Sequence, residues 1–362
     1  MKKARCINKE KSVNLFYNRK MRKWYFTVYF LSNGLVAAFY GWHDNFIYII
    51  ERRIMKTGQS YSSKLPIYYI ILGGIHMSDL SNKVMLTIAT TGAYPIKKHN
   101  PSVPLDPPEI AEDILACAEA GASICHIHVR DDEHKASMSF DKFKEVVDAV
   151  RPHSNIVINL TTSGGTGWPD DVRMKPFQVL HPEVASFDCG TMNWQRTGIF
   201  ENHPKFLEKL GTEMQKHDVK PEIEVFDPGM IYNALDLQKR GFLKPGPLHF
   251  QIVMGVKGGI DATVDNLVWM HSLLPKDATW GAVGIGHGQM PIMLATLAMG
   301  GHLRVGMEDN VMMKKGVLAK NNVEFVKRAV DLIHLAGKEV ATPDEAREIL
   351  GVENKTKIAL GK

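Results

Sequence analysis

From Met77 onward, short apolar runs alternate with amphipathic segments of about 10–18 residues, the pattern that parallel βα units produce. Strands are predicted over residues 84–90, 123–129, 156–162, 184–188, 222–226, 248–253, 279–284 and 302–306. Helical segments follow them, over roughly 107–120, 140–151, 170–180, 203–216, 229–240, 263–273, 290–298 and 317–336. A last short helix is expected over 343–350, behind Thr342-Pro343-Asp344-Glu345, a capping segment. Eight units in about 250 residues predict a (β/α)8 TIM barrel. A doubly wound open sheet is the runner-up, but no GxGxxG follows the first strand.

Successive side chains on a strand point to opposite faces, and parity sorts these strands cleanly. Cys125, Ile127 and Val129 oppose His126, His128 and Arg130. Ile158 and Leu160 oppose Asn159 and Thr161, Ile223 and Val225 oppose Glu222 and Glu224, and Ser186 shares a face with Asp188. In the eighth strand Leu303 and Val305 oppose His302 and Arg304, with Glu308 continuing the polar side just beyond. A barrel built only for packing would carry Val, Ile and Leu inside. A polar interior implies a site at the C-terminal ends of the strands.

Residues 1–76 read differently. They show neither a sustained helical period nor clear alternation, and hold 15 of the 31 aromatic residues. They also carry 13 Lys/Arg against 3 Asp/Glu, net +10, whereas the remaining 286 residues are net −5. The overall charge of +5 is therefore no sign of a nucleic-acid partner. Trp24 to Trp42 is apolar enough to be considered as a membrane anchor, but Ser32-Asn33-Gly34 interrupts it and no signal-peptide cleavage pattern follows. The favoured expectation is a catalytic domain over 77–362 and an atypical extension over 1–76 that is not part of the functional protein. A disordered or partner-binding extension and a membrane anchor are the alternatives. Cys6, Cys117, Cys125 and Cys189 lack CxxC spacing and read as reduced thiols of a cytoplasmic enzyme.

His126-Ile127-His128 puts two imidazoles on one strand face, and Glu308 offers a carboxylate from the eighth strand, only one strand away around the barrel. Two histidines and a carboxylate with an open position form a catalytic zinc pattern, although Fe(II), Mn and Co accept the same ligand types.

Ordered motifs add to this. Thr91-Gly92-Ala93 follows the first strand, and AGAxxxHxHxR spans Ala120 to Arg130. Then come Thr161-Thr162-Ser163-Gly164-Gly165, Gly190-Thr191-Met192-Asn193, Asn202-His203-Pro204, Pro221-Glu222-Ile223-Glu224 and GGHxRVGxEDN from Gly300 to Asn310. From about Met85 to Gly351 the chain resembles the β-keto acid cleavage enzymes, best known for the type acting on 3-keto-5-aminohexanoate in lysine fermentation. The resemblance implies zinc held by His126, His128 and Glu308, Asp309 as the base at C2 of the β-keto acid, and Arg304 as its partner. It further implies substrate-binding hydroxyls at Ser186 and at Thr161, or at Thr162 because this loop is one residue longer, and a pocket acid at Glu224. Acetyl-CoA is the implied co-substrate and a cytoplasmic homo-oligomer the implied form. Glycine-rich Val256 to Gly259 and Gly284 to His287 would suit phosphate or pantetheine contacts.

Tyr94 departs from the family pattern, because the aminohexanoate enzymes have a glutamate there. A phenol cannot pair with an ammonium at neutral pH. A neutral substrate tail fits better, or a quaternary ammonium seated on the ring. The competing function is a metal-dependent TIM-barrel hydrolase or aldolase that uses no CoA.

Overall fold

The eight predicted strands close into one parallel barrel: β1 (Leu86–Ala89), β2 (Ile124–Ile127), β3 (Val157–Leu160), β4 (Val184–Asp188), β5 (Lys220–Val225), β6 (His249–Met254), β7 (Thr279–Gly284) and β8 (His302–Val305). Each strand pairs with the next, and β8 pairs with β1. The computed structural model describes residues 80–196 and 198–356, together with the backbone of four strands nearer the N-terminus.

The helices between the strands are α1 (Pro107–Glu119), α2 (Phe140–Val150), α3 (Asp170–Leu180), α4 (Pro204–Lys216), α5 (Pro228–Lys239), α6 (Val264–Ser272) and α7 (Gln289–Ala298). Then come α8 (Asn322–Leu335) and α9 (Pro343–Leu350). Their starts are chemically marked. Proline stands in the first turn of α1, α4, α5 and α9, where its missing N–H costs nothing. Side chains of His203, Asp227, Thr263 and Asn321 accept from the first free backbone N–H groups of their helices.

The helix-facing parity of the strands is apolar as expected. Leu86, Ile88, Cys125, Ile127, Ile158, Leu160, Leu303 and Val305 belong to one buried cluster, and Phe187, Ile223, Val225, Phe250 and Ile252 to another. The thiols of Cys117, Cys125 and Cys189 are free and buried, and burial pushes all three up. At the N-terminal end, Met85, Ile124, Val157 and Val184 pack on Ala346 and Leu350 of α9. The capping box of Thr342 and Glu345 forms, and Arg347 reaches Glu183 at 2.9 Å. This end is sealed for stability, which leaves the opposite end for chemistry.

Most boundaries shift by a residue or two, and two of the departures have a visible cause. The second strand ends at Ile127, because Val129–Arg130 leaves the barrel to pair with Ala136–Ser137. α8 starts at Asn322 rather than near 317, because Met312–Lys314 and Val317–Leu318 form a hairpin turning at Gly316 (φ +78°).

Four strands nearer the N-terminus belong to a separate compact unit. Lys11–Asn18, Lys23–Phe30, Leu35–Trp42 and Asn45–Arg52 pair antiparallel in that order. The sequence pattern does not mark these strands. Val13, Leu15 and Tyr17 of the first strand oppose Ser12, Asn14 and Asn18, but aromatic and β-branched residues stand on both parities of the other three, so period-2 alternation is weak there, and the apolar stretch from Trp24 to Trp42 covers parts of two strands divided near Ser32-Asn33-Gly34. No helix among the described residues is long and apolar enough to cross a membrane.

Candidate active site

A cavity of about 400 Å³ opens at the C-terminal ends of the strands, a size suited to a small-molecule ligand. His126, His128, Thr161, Ser186, Glu224, Arg304, Glu308, Asp309 and Tyr94 all line it. Thr162 does not. Its backbone N–H donates to Ser186 Oγ at 3.0 Å and its hydroxyl donates to the Ser186 carbonyl at 3.0 Å. Strand parity turns it outward, so of the two threonines offered as substrate contacts only Thr161 faces the cavity.

His126 Nε2 lies 3.8 Å from Glu308 Oε2, and His128 Nε2 lies 3.5 Å from Glu308 Oε1. Ligand atoms of the three residues fall within 4.8 Å of one another. Glu308 gets there because the chain turns at Gly306 (φ +140°), against the Ala89 carbonyl, and the Glu308 N–H then donates to that same carbonyl. Its side chain lies over Gly92, where an added Cβ would sit 2.3 Å from Glu308 Cγ. Only glycine fits there, which gives Gly92 of Thr91-Gly92-Ala93 a steric reason.

Burial, with Arg304 and His128 close by, holds His126 well below the usual imidazole range. Burial, with Arg304 and Arg130, holds His128 down at about 3. Both rings are therefore neutral, the form that ligates a metal. Burial pushes Glu308 up to about 8 against the pull of Arg304.

Arg304 is the hub. Its Nε and Nη2 each donate to Asp309 at 3.0 Å, Nη2 also to Glu308 at 2.7 Å, and Nη1 to Glu224 at 3.5 Å. Burial alone would lower its pKa, but Asp309, Glu308 and Glu224 outweigh that and hold it well above the usual range. The Asp309 carbonyl accepts from Gly286 N at 2.9 Å, which ties the acid to the glycine-rich turn after β7.

Asp188 is a further acid of the site, which its place on the polar face of its strand does not by itself distinguish. It stands opposite Glu224 in the β4–β5 ladder, lines the cavity, and keeps Oδ2 buried without a partner. Burial pushes Asp188 up to about 6, and burial with the neighbouring Asp188 pushes Glu224 well above its usual value. Glu222 is engaged deeper in the barrel: it accepts from Asn159 Nδ2 at 2.7 Å and faces His249 Nε2 at 3.6 Å. Burial pushes it up, but His249, Arg304 and Asn159 prevail and hold it below the usual carboxylate range. A second group of close ligand atoms, on His126, Glu222 and Glu224, shares one histidine with the first. We favour the set with Glu308, since Glu222 is already engaged by Asn159 and His249.

Comparison with known proteins fixes the lineage. Residues 83–352 match the model of the beta-keto acid cleavage enzyme family. The chain belongs to that family.

Among these β-keto acid cleavage enzymes, the 3-keto-5-aminohexanoate cleavage enzyme of Fusobacterium nucleatum is 42% identical over 275 residues, 76% of this chain and 100% of the relative. The 3-oxoadipate:acetyl-CoA acetyltransferase of Cupriavidus necator is 36% identical over 276 residues, 75% of this chain and 96% of the relative. A solved structure of ObcA with oxaloacetate, 20% identical, superposes with a TM-score of 0.61 over 70% of this chain and 68% of that one, and shares the fold. As a β-keto acid cleavage enzyme the chain catalyses carbon–carbon bond cleavage.

Proposed function

We propose that this β-keto acid cleavage enzyme exchanges acyl groups between a β-keto acid and acetyl-CoA, at a zinc ion held by His126, His128 and Glu308. The observation that carries this reading is a single cavity in which those three ligands adjoin the Arg304–Asp309 pair. Acetyl-CoA as partner is supported by the Cupriavidus relative, whose name includes it.

The donor set fits the ion. Two neutral imidazoles and a carboxylate leave a position free for substrate. Glu308 Oε2 is buried with no hydrogen-bond partner, as a ligand atom would be. The carboxyl groups of Asp188, Glu224, Glu308 and Asp309 share the cavity with one guanidinium, burial pushes the first three up, and a divalent cation would favour their ionised forms. Held by His126, His128 and Glu308, zinc would supply Lewis acidity that stabilises the charge developing at C2 of the β-keto acid.

Asp309 takes the C2 proton, held in direction by Nε and Nη2 of Arg304. The C2 carbanion attacks the thioester carbonyl of acetyl-CoA, the C–S bond breaks, and CoA leaves as thiolate. That thiolate adds to the original keto carbon and the C2–C3 bond breaks. Asp309 returns its proton to C2, giving acetoacetate and a new acyl-CoA. Thr161 and Ser186 present hydroxyls to the substrate, and Glu224 holds the far side of Arg304. A panel of β-keto acids scored for acetoacetate release tests this reading. Release should require acetyl-CoA; turnover without any acyl-CoA would replace the reading by a metal-dependent hydrolase or aldolase.

Tyr94 is the proposed reader of the substrate tail. It follows β1, which lies between β8 and β2, and its ring stacks on His99 at 5.2 Å. At 63% exposure it forms part of the cavity rim. In the same panel an uncharged tail should be preferred over 3-keto-5-aminohexanoate. Tyr94→Glu should move the ratio of specificity constants toward the amino substrate by about tenfold, the lower end for a charged contact because the site is partly open to water. An unchanged ratio would assign tail selection to other loops.

The working enzyme is proposed to begin near Met77. Support comes from the family match starting at residue 83 and from the Fusobacterium relative being covered over its whole length. Deleting residues 1–76 should leave turnover and thermal midpoint unaltered. Loss of folding on truncation would make the segment part of the domain, and loss of membrane association alone would make it an anchor.

A further inference from the structure

Beneath the cavity a line of polar side chains crosses the barrel from β7 to β2. Thr279 Oγ1 meets His249 Nδ1 at 2.9 Å, His249 Nε2 faces Glu222 Oε2 at 3.6 Å, and Glu222 Oε1 accepts from Asn159 Nδ2 at 2.7 Å. Asn159 stands opposite His126 in the β2–β3 ladder, so both side chains point inward. Asn159, Glu222, His249 and His126 are each 2% exposed or less. Two atoms along this line have no hydrogen-bond partner, Asn159 Oδ1 and His126 Nδ1, and they belong to ladder neighbours. The acyl exchange described above uses neither Asn159 nor Glu222.

The chemistry of the donors orders the line. An ionised carboxylate only accepts, so Glu222 demands the NH2 side of the Asn159 amide. With NH2 committed to Glu222, Oδ1 is the atom left to face the imidazole. An acceptor there selects the tautomer with hydrogen on Nδ1 and leaves the Nε2 lone pair directed at Glu308. We infer that Glu222, acting through Asn159, is a positioning residue that sets the tautomer and ring orientation of His126. The tautomer follows from the line itself; its consequence for a metal rests on the ligand set proposed above.

The test uses the full chain, stripped of metal and labelled with 15N. Long-range 1H–15N correlation of the His126 imidazole should show hydrogen on Nδ1 and a bare Nε2 in the wild type. Glu222→Gln is isosteric, but its amide presents either an oxygen or an NH2 to Asn159, so the Asn159 amide should lose its fixed orientation and the His126 ring should show both tautomers. Zinc affinity by chelator competition should fall about 10–100-fold, the usual effect of losing such a support, while the thermal midpoint of the metal-free protein changes little. Asn159→Leu should give the same two changes; if it fails to fold, Glu222→Gln alone decides. An unchanged tautomer with unchanged zinc affinity in Glu222→Gln would overturn the inference. A wild type that binds no zinc, yet shows the ordered tautomer and its loss in Glu222→Gln, would overturn the ligand set and leave the positioning role standing.

Discussion

His126→Ala and His128→Ala should each abolish stoichiometric zinc and lower turnover by at least ~10³-fold, while the barrel still folds. The magnitude follows from the role. A Lewis acid contributes several kcal/mol to the charged transition state, and about 4 kcal/mol corresponds to ~10³-fold at 1.36 kcal/mol per tenfold. Folding should survive because neither imidazole braces the barrel: His128 Nδ1 has no hydrogen-bond partner, His126 Nδ1 faces only the Asn159 amide on the reading above, and the apolar clusters lie on the other strand faces. Removal of a neutral ring also leaves no unpaired buried charge. Metal content by elemental analysis, thermal midpoint and acetoacetate release on the same preparations decide the matter. A variant that keeps one zinc per chain and normal turnover would take that histidine out of the ligand set.

Period-2 patterning carried most of this architecture. It located the strands and put His126, Thr161, Ser186, Glu224 and Arg304 on the inner face, because burial of the outer face against helices leaves a strand no choice of register. Direction beyond the strand ends was less legible. Glu308 reaches the centre only through the positive φ of Gly306 and the space above Gly92, a contact spanning more than two hundred residues of chain. The segment before α8 has its own long-range contacts: Asn100 donates to the carbonyls of Val311 and Ala319. The choice between Thr161 and Thr162 needed the strand end to be located to one residue. Glu222 and Asn159 were visible as polar interior positions, but only their geometry makes them a line leading to His126. In three of the four N-terminal strands both parities carry aromatic or branched apolar residues, and a pattern with little contrast conceals its period.

Asp309→Asn should separate the base from the metal. Both Asp309 oxygens are engaged by Arg304, Oδ2 by Nε and Oδ1 by Nη2, each at 3.0 Å. A carboxylate has about four lone-pair sites, so two remain for a substrate proton after Arg304 has fixed the plane of the group. Asparagine keeps the shape and one acceptor for Arg304 but cannot take a proton from carbon. Zinc content should therefore persist, since Asp309 is outside the proposed ligand set, while turnover falls by roughly 10²-fold or more, the scale of a positioned base. Arg304 retains Glu308 at 2.7 Å and Glu224 at 3.5 Å, so the loss of one partner should not leave it an isolated buried charge. A role confined to bracing Arg304 predicts a different pattern: a shift in thermal midpoint or KM with chemistry at C2 intact. Exchange of the C2 hydrogens of a β-keto acid with solvent deuterium, followed without acetyl-CoA, reads proton removal before any carbon–carbon step. If Asp309→Asn exchanges those hydrogens at the wild-type rate, the base is another group, and Glu224, across Arg304 in the same cavity, is the next to substitute.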